Sequence, residues 1–337
     1  MRDTLPVLDL SDLDAGEAAA ASFRERLLEV THDVGFFYLV GHGITTALMA
    51  ELIAVSRRFF ALPEAQKLAI ENLHSPQFRG YTRTGGELTN GRVDWREQID
   101  FGIDRAEVPR AAGVPDYWRL EGPNVWPPQL PELRDVADRW QDSLAAVAGR
   151  LMRAWAVSLG QREDVFDAAF ESPFIQSKIV RYPGESDEGQ KQGVGAHRDG
   201  GVLTLLYIEP GKGGLQVEHE GEWIDAPAVD GAFVVNIGEM LELATGGYLK
   251  ATLHRVISPR RGQDRISVPF FYNPRLDARV PRLELPAALA AEARGLSADP
   301  TASPILQVYG DNVLRYRLRA HPDVAALQHP DLLAASR

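Results

Sequence analysis

The chain has 337 residues, 45% of them hydrophobic and 25% charged, an ordinary globular balance with enough apolar content for a large core. Lys and Arg total 36 against 47 Asp and Glu, a formal charge of −11, which argues against a nucleic-acid binder. There is no Cys. That excludes disulfides, thiolate nucleophiles, Cys-held zinc, iron–sulfur clusters and thiolate-ligated haem, and leaves His, Asp, Glu or backbone oxygen to hold any metal.

The opening MRDTLPVLDLSDLD carries charges and lacks an apolar run ahead of a small-residue cleavage site, so no signal peptide is expected. The longest charge-free stretch, residues 34–50, contains His42 and three Gly and is too polar to span a bilayer. The expectation is a cytoplasmic monomer with neither membrane nor nucleic acid as partner.

In chain order, LPVLDL (5–10) reads as a short strand. Asp14 and Glu17 have the spacing of a capping box, and Phe23, Leu27, Val30 and Val34 then recur at helical spacing. GFFYLVGHGI (35–44) reads as a strand ending in Gly, with His42 as a turn residue. Thr45 or Thr46 can cap a helix running to Phe60, and Pro63 can be the first residue of another. Residues 72–128, rich in Gly and Pro, read as an irregular segment of a length that is often functional. A long helix is predicted from Pro131 to about Leu159, with Leu133, Val136, Trp140, Leu144, Val147, Leu151 and Trp155 on one side.

After Ser172 the texture changes. Short apolar runs follow one another between turn signals: FIQSKIVRYP, VLTLLYIEP, GLQVEHEGEWIDAP, AFVVNIGEM, LHRVISP and RISVPFFYNP. This pattern belongs to an all-β sandwich or barrel. Residues 302–332 return to helix. The fold class expected is mainly β, a jelly-roll core (double-stranded β-helix) with N-terminal and C-terminal helices packed on it. Its expected parts, within one integrated domain, are a helical and loop region (1–170), the core (171–283) and a helical C-terminal segment (284–337).

The chemistry sits in the β region. In GVGAHRDGG (193–201), His197 and Asp199 are two apart, and on a strand such residues share a face. His254 lies in another apparent strand, with 54 residues between it and Asp199, enough for antiparallel strands to bring it back. Two His and one carboxylate with open positions is the facial triad of non-haem Fe(II) oxygenases. Arg265 and Ser267, in QDRISVPFF, are again two apart, and together offer a guanidinium fork and a hydroxyl to a carboxylate. Tyr182 can add a phenolic donor. An HxD or an RxS alone is a chance-level pattern; their order, spacing and strand setting together carry the reading. The other six His have no such partners.

These segments resemble the isopenicillin N synthase-like branch of the 2-oxoglutarate/Fe(II)-dependent dioxygenases. PVLDLS (6–11), FFALP (59–63), RGY (79–81), DFG (100–102), GPNVWP (122–127), AHRDGGVLTLL (196–206), NIGEMLELATGGYLKATLHRV (236–256) and RISVPFFYNP (265–274) all fit its pattern, which spans most of the chain. The resemblance implies Fe(II) on His197, Asp199 and His254, and 2-oxoglutarate on Arg265 and Ser267, with Tyr182 and Leu206 beside it. It implies O2 as the oxidant, a small-molecule substrate that is hydroxylated, desaturated or ring-closed, and release of succinate and CO2. Its substrate pocket suggests Arg79, Tyr81, Phe101, Phe271, Tyr272 and Tyr309. Arg79, Arg83, Arg92 and Arg96 make a basic stretch that hints at an anionic substrate; the competing reading is a solvated loop paired with Glu87, Asp94 and Glu97.

Three alternatives stay open at this point. An iron oxidase of the isopenicillin N synthase type shares the RxS pattern without using 2-oxoglutarate. A zinc hydrolase on the same triad lacks an adjacent Glu as base. A non-catalytic jelly roll has no physical need of both triad and clamp.

Overall fold

The computed structural model describes residues 4–184, 192–279, 281–297 and 304–334. The N-terminal part contains β1 (Val7–Asp9), α1 (Glu17–Asp33), β2 (Phe36–Val40), α2 (Thr46–Phe60), α3 (Glu64–Leu68), β3 (Gly80–Thr82), β4 (Leu88–Thr89), β5 (Arg92–Val93), β6 (Glu97–Gly102) and α4 (Glu132–Ser158). There follow β7 (Phe174–Pro183), β8 (Gln192–His197), β9 (Leu203–Ile208), β10 (Leu215–His219), β11 (Glu222–Asp225) and β12 (Phe233–Ile237). The chain then runs through α5 (Glu239–Ala244), β13 (His254–Ile257), β14 (Asp264–Asn273), α6 (Ala287–Glu292), α7 (Tyr309–Ala320), α8 (Pro322–Gln328) and α9 (Pro330–Ala334).

An eight-stranded sheet in the order β1-β2-β12-β9-β14-β7-β6-β3 faces a four-stranded sheet in the order β11-β10-β13-β8. This is the expected jelly roll. Alternation along the strands sorts its faces. Leu203, Leu205 and Tyr207 of β9 pack with Ile266, Val268 and Phe270 of β14 and Phe233, Val235 and Ile237 of β12 in the core shared with the helices. Trp140 of α4 closes on Tyr207 and Phe233, each at 5.6 Å between ring centroids. The intervening residues point between the two sheets. There Val180, Tyr182, Ile208 and Val234 meet Val194, Val217 and Val256 in a smaller cluster. Among the described residues no helix is long and apolar enough to cross a membrane.

Most predicted elements appear, and four details differ. Asp14 and Glu17 form no capping box: α1 starts after Gly16, whose φ of 104° suits glycine, and Asp14 instead pairs with Arg150 at 2.7 Å. Pro63 stands one position before α3 rather than within it. The stretch 72–128 is not irregular throughout, because β3 and β6 extend the large sheet beyond β7. Helix α6, within the C-terminal segment 284–337, precedes the stretch 302–332 predicted to return to helix, whose first residues, 302 and 303, lie outside the described residues.

Candidate active site

The two sheets enclose a cavity of about 680 Å³. Strand β8 delivers His197 at its last residue, directly across from His254, the first residue of β13. Asp199 follows in the loop after β8. That loop lies against the start of α5, where Gly238 N–H donates to Val202 O at 2.9 Å and Glu239 N–H to Asp199 O at 2.8 Å. A Cβ on Gly238 would come within 2.2 Å of Gly201 O and 2.8 Å of Asp199 O, so only glycine permits this approach.

The three side chains converge. The imidazole centroids of His197 and His254 lie 4.2 Å apart, and Asp199 Oδ1 lies 3.5 Å from His197 Nε2 and 3.7 Å from His254 Nε2. One ligand atom from each lies within 4.8 Å of the others, close to the spacing that an ion about 2 Å from each would need. The far sides of the ligands are held. His197 Nδ1 faces Gly195 O at 2.8 Å and His254 Nδ1 faces Thr252 O at 3.1 Å, so each Nδ1 is the N–H donor and each Nε2 keeps a free lone pair. Asp199 Oδ2 accepts from Thr204 Oγ1 at 2.5 Å and Asn236 Nδ2 at 2.8 Å, leaving Oδ1 to face the imidazoles.

The electrostatics agree with a site for a cation. Burial opposes protonation of His197, but the hydrogen bond and charge of Asp199 outweigh it and hold the imidazole above its ordinary range. Burial and the charge of His197 push His254 down to about 4. Burial of Asp199 is outweighed by the two imidazoles and Asn236, which hold its carboxyl well below the usual range. Two imidazoles and a carboxylate, with no thiolate anywhere in the chain, suit Fe(II).

The second cluster lies on β14. Arg265 is buried, with its guanidinium carbon 4.8 Å from the ring centroid of Tyr182, its cross-strand partner on β7. Arg265 Nη1 donates to Ser267 Oγ at 3.0 Å, while Nε and Nη2 are buried with no partner among the described residues. Burial pulls this guanidinium below the usual arginine range, against the pull of Tyr182 and Glu209. A buried cation with two unanswered N–H groups is costly unless an acceptor arrives, and a carboxylate of 2-oxoglutarate fits it. Leu206, on the inner face of β9, lines the same cavity.

The six substrate candidates divide. Phe271 and Tyr309 line the cavity. Tyr272 does not: strand alternation turns it to the opposite face from Phe271, where it stacks on Phe170 at 4.9 Å. Phe101 is likewise on the helix side of β6, against Trp126 at 5.3 Å. Tyr81 is a core residue whose hydroxyl donates to Glu97 at 2.7 Å. Arg79 is buried away from the cavity, its Nη1 donating to Asn124 at 2.8 Å.

The basic stretch is not one patch, and of the competing reading the pairing with Glu87 and Asp94 holds for Arg96, though in a buried rather than a solvated place. Arg92 is exposed and Arg83 pairs with Glu71, whereas Arg96 turns into the cavity wall and pairs with Glu87 at 3.0 Å and Asp94 at 3.1 Å. Sequence reasoning missed the buried ionic cluster that continues from there. Lys178 bridges Glu87 at 2.8 Å and Asp100 at 3.4 Å, and Asp100 accepts from Arg317 of α7 at 2.9 Å. The only signal was Lys178 itself, a cation in the apolar run FIQSKIVRYP at an inward position.

Comparison with known proteins agrees with this architecture. The profile described as "non-haem dioxygenase in morphine synthesis N-terminal" matches residues 5–129, and that of the "2OG-Fe(II) oxygenase superfamily" matches residues 171–274. The chain is 36% identical to the 2-oxoglutarate-dependent dioxygenase frbJ of Dothideomycetidae sp. (strain 11243), over 99% of this chain and 95% of that one. It is 34% identical to homoarginine-6-hydroxylase 2-ODD-C23.2 of Arabidopsis thaliana, over 84% of this chain and 81% of the relative. The crystal structure of JOX2 in complex with 2OG, Fe and JA superposes with a TM-score of 0.73 at 27% identity, covering 96% of this chain and 88% of JOX2. The chain belongs to the 2-oxoglutarate/Fe(II)-dependent dioxygenases. It is an oxidoreductase that uses Fe(II), 2-oxoglutarate and O2 to oxidise a small molecule, with release of succinate and CO2.

Proposed function

We propose that His197, Asp199 and His254 hold the Fe(II), and that Arg265 and Ser267 seat the distal carboxylate of 2-oxoglutarate with Tyr182 and Leu206 as walls. The observation that carries this is the pairing of two incomplete sites in one cavity: a triad with its free lone pairs converging, and a buried guanidinium with unanswered donors. Bound iron supplies O2 activation, with electrons from decarboxylation of the co-substrate. The chain supplies orientation. Gly195 and Thr252 carbonyls fix the imidazole tautomers, Thr204 and Asn236 aim the carboxylate, and Arg265 sets the co-substrate's distance from the triad. Leu206 and Phe36 keep that part of the cavity apolar and limit water.

Hydroxylation is the outcome we favour over desaturation or ring closure, supported by the name of the Arabidopsis relative, a homoarginine-6-hydroxylase. We read the chain as one integrated unit, because β1, β2, β3 and β6 from the first 170 residues complete the large sheet of the core. We take it to act as a cytoplasmic monomer without nucleic acid or membrane, in keeping with its acidic balance and its singly scattered exposed apolar residues. The test is metal retention. After anaerobic loading and gel filtration, the native chain is expected to keep about one Fe(II) per chain, and Asp199→Ala and His254→Ala to lose it; full retention by both variants would refute the ligand assignment.

A further inference from the structure

The inner face of β14 continues past the co-substrate pair. Arg265, Ser267, Pro269, Phe271 and Asn273 alternate along the strand, and all five line the cavity, as a period of two requires. Their order sets where each part of the site lies. Arg265 and Ser267 stand at one end of the strand. Phe271 pairs in register with Thr204 of β9, whose hydroxyl donates to Asp199, so the triad belongs to the level of Phe271. Asn273, the next inward residue, stands on the opposite side of that level from Arg265.

Asn273 is only 2% exposed, and one bond fixes its amide. Val202 N–H donates to Oδ1 at 3.0 Å, which settles the orientation of the amide, since only its oxygen can accept. Val202 is three residues after Asp199, and a Cβ on Gly201 would fall 2.2 Å from the same Oδ1, so the loop that follows the triad closes on this side chain where glycine leaves room. The other end of the amide is unused. Nδ2 donates to nothing among the described residues and is not sealed inside the packing, so its N–H groups open onto the cavity that the residue lines. Holding the loop takes one acceptor and no donor. The NH2 group is therefore surplus to the fold, and a donor left unmet in a buried place is a cost.

The neighbouring wall decides what this donor suits. Gln176 of β7 is the register partner of Phe271, and Lys178 follows it on the same face. Lys178 is matched to Glu87 and Asp100, and Arg317 of α7 to Asp100. A carboxylate at Asn273 would lose its water against a neutral amide, with both of those cations already neutralised. A carbonyl oxygen needs only the amide N–H.

We propose that Asn273 is a specificity-determining residue whose Nδ2 donates to an uncharged carbonyl oxygen of the organic substrate, so that this dioxygenase takes small molecules bearing a ketone, ester or amide. The proposal rests on the reading above that the triad holds the metal and Arg265 the co-substrate, which leaves the Asn273 end of the cavity to the substrate. Asn273 orients the substrate before the triad and takes no part in the oxidation itself.

N,N-Dimethylformamide is the probe, a carbonyl acceptor with no N–H of its own. Crystals of the full chain with Mn(II) and 2-oxoglutarate, soaked in it, are expected to show its oxygen within hydrogen-bond distance of Asn273 Nδ2. Asn273→Asp keeps an acceptor for Val202 N–H and removes the donor, and its crystals are expected to show the same loop and no probe at that place. The native soak stands on its own if this variant does not fold. Water alone at Nδ2 in the native crystals, or the probe bound only elsewhere, would overturn the assignment. So would the probe at the same place in the Asp variant, or a bond from Nδ2 to 2-oxoglutarate. The same maps test the underlying reading separately: the probe on Asn273 with Mn(II) away from the triad would support the donor and sink that reading.

Discussion

Strand β14 carries two different proteins on its two faces. Ile266, Val268 and Phe270 point to the helices and are buried among Leu205, Tyr207 and other apolar side chains. Arg265, Ser267 and Phe271 alternate with them and point into the cavity, where one polar pair lies among donors with no partner. The outward face does what a core does: it removes apolar area from water at roughly 25 cal/mol per Å². The inward face gives some of that up, because a buried guanidinium is a liability until an acceptor arrives. A single rigid strand thus ties the chemistry to the packing, and substitutions one residue apart should separate the two.

The sharpest break is Asp199→Ala, which removes the only carboxylate of the triad. Succinate release should fall to background while the melting temperature changes little; turnover near the native rate would remove the triad from the account. Next is Phe270→Ala on the packed face, with a loss of about 3–5 kcal/mol in urea unfolding and an unchanged KM for 2-oxoglutarate in the fraction that stays folded. One residue before the start of that packed set, Arg265→Leu should do the opposite. The KM for 2-oxoglutarate should rise about ten- to hundredfold, from the roughly 1.5–3 kcal/mol of a charge-assisted bond, with little loss of stability. An unchanged KM would mean that the co-substrate is seated somewhere other than on Arg265. The smallest effect belongs to Phe271→Ala. Its half-buried ring faces the cavity, so unfolding should shift by less than about 1.5 kcal/mol while the substrate's KM changes.

The same alternation explains what was legible beforehand. His197 with Asp199, and Arg265 with Ser267, are pairs two apart, and a strand converts that spacing directly into a shared direction. The jelly roll followed from six apolar runs between turn signals, and every one of them became a strand or hairpin. Phe271 and Tyr272 could not both face one pocket, and naming both ignored the period of two. Phe101 failed for the same reason, since its neighbour Asp100 takes the inward side. The ionic cluster was out of reach on other grounds. Glu87, Asp100, Lys178 and Arg317 come from a loop, two strands and a C-terminal helix, and no local pattern links them. Strand β3 hid within a Gly- and Pro-rich stretch because it has only three residues, and β6 because its six residues EQIDFG are polar at both faces and buried throughout, with no apolar alternation to mark them.

The most direct test is anomalous diffraction at the iron edge from anaerobic crystals grown with Fe(II) and 2-oxoglutarate. The expected result is one peak bonded to His197 Nε2, Asp199 Oδ1 and His254 Nε2, with the co-substrate's distal carboxylate on Arg265 and Ser267. A peak elsewhere, or 2-oxoglutarate bound away from Arg265, would contradict the arrangement described.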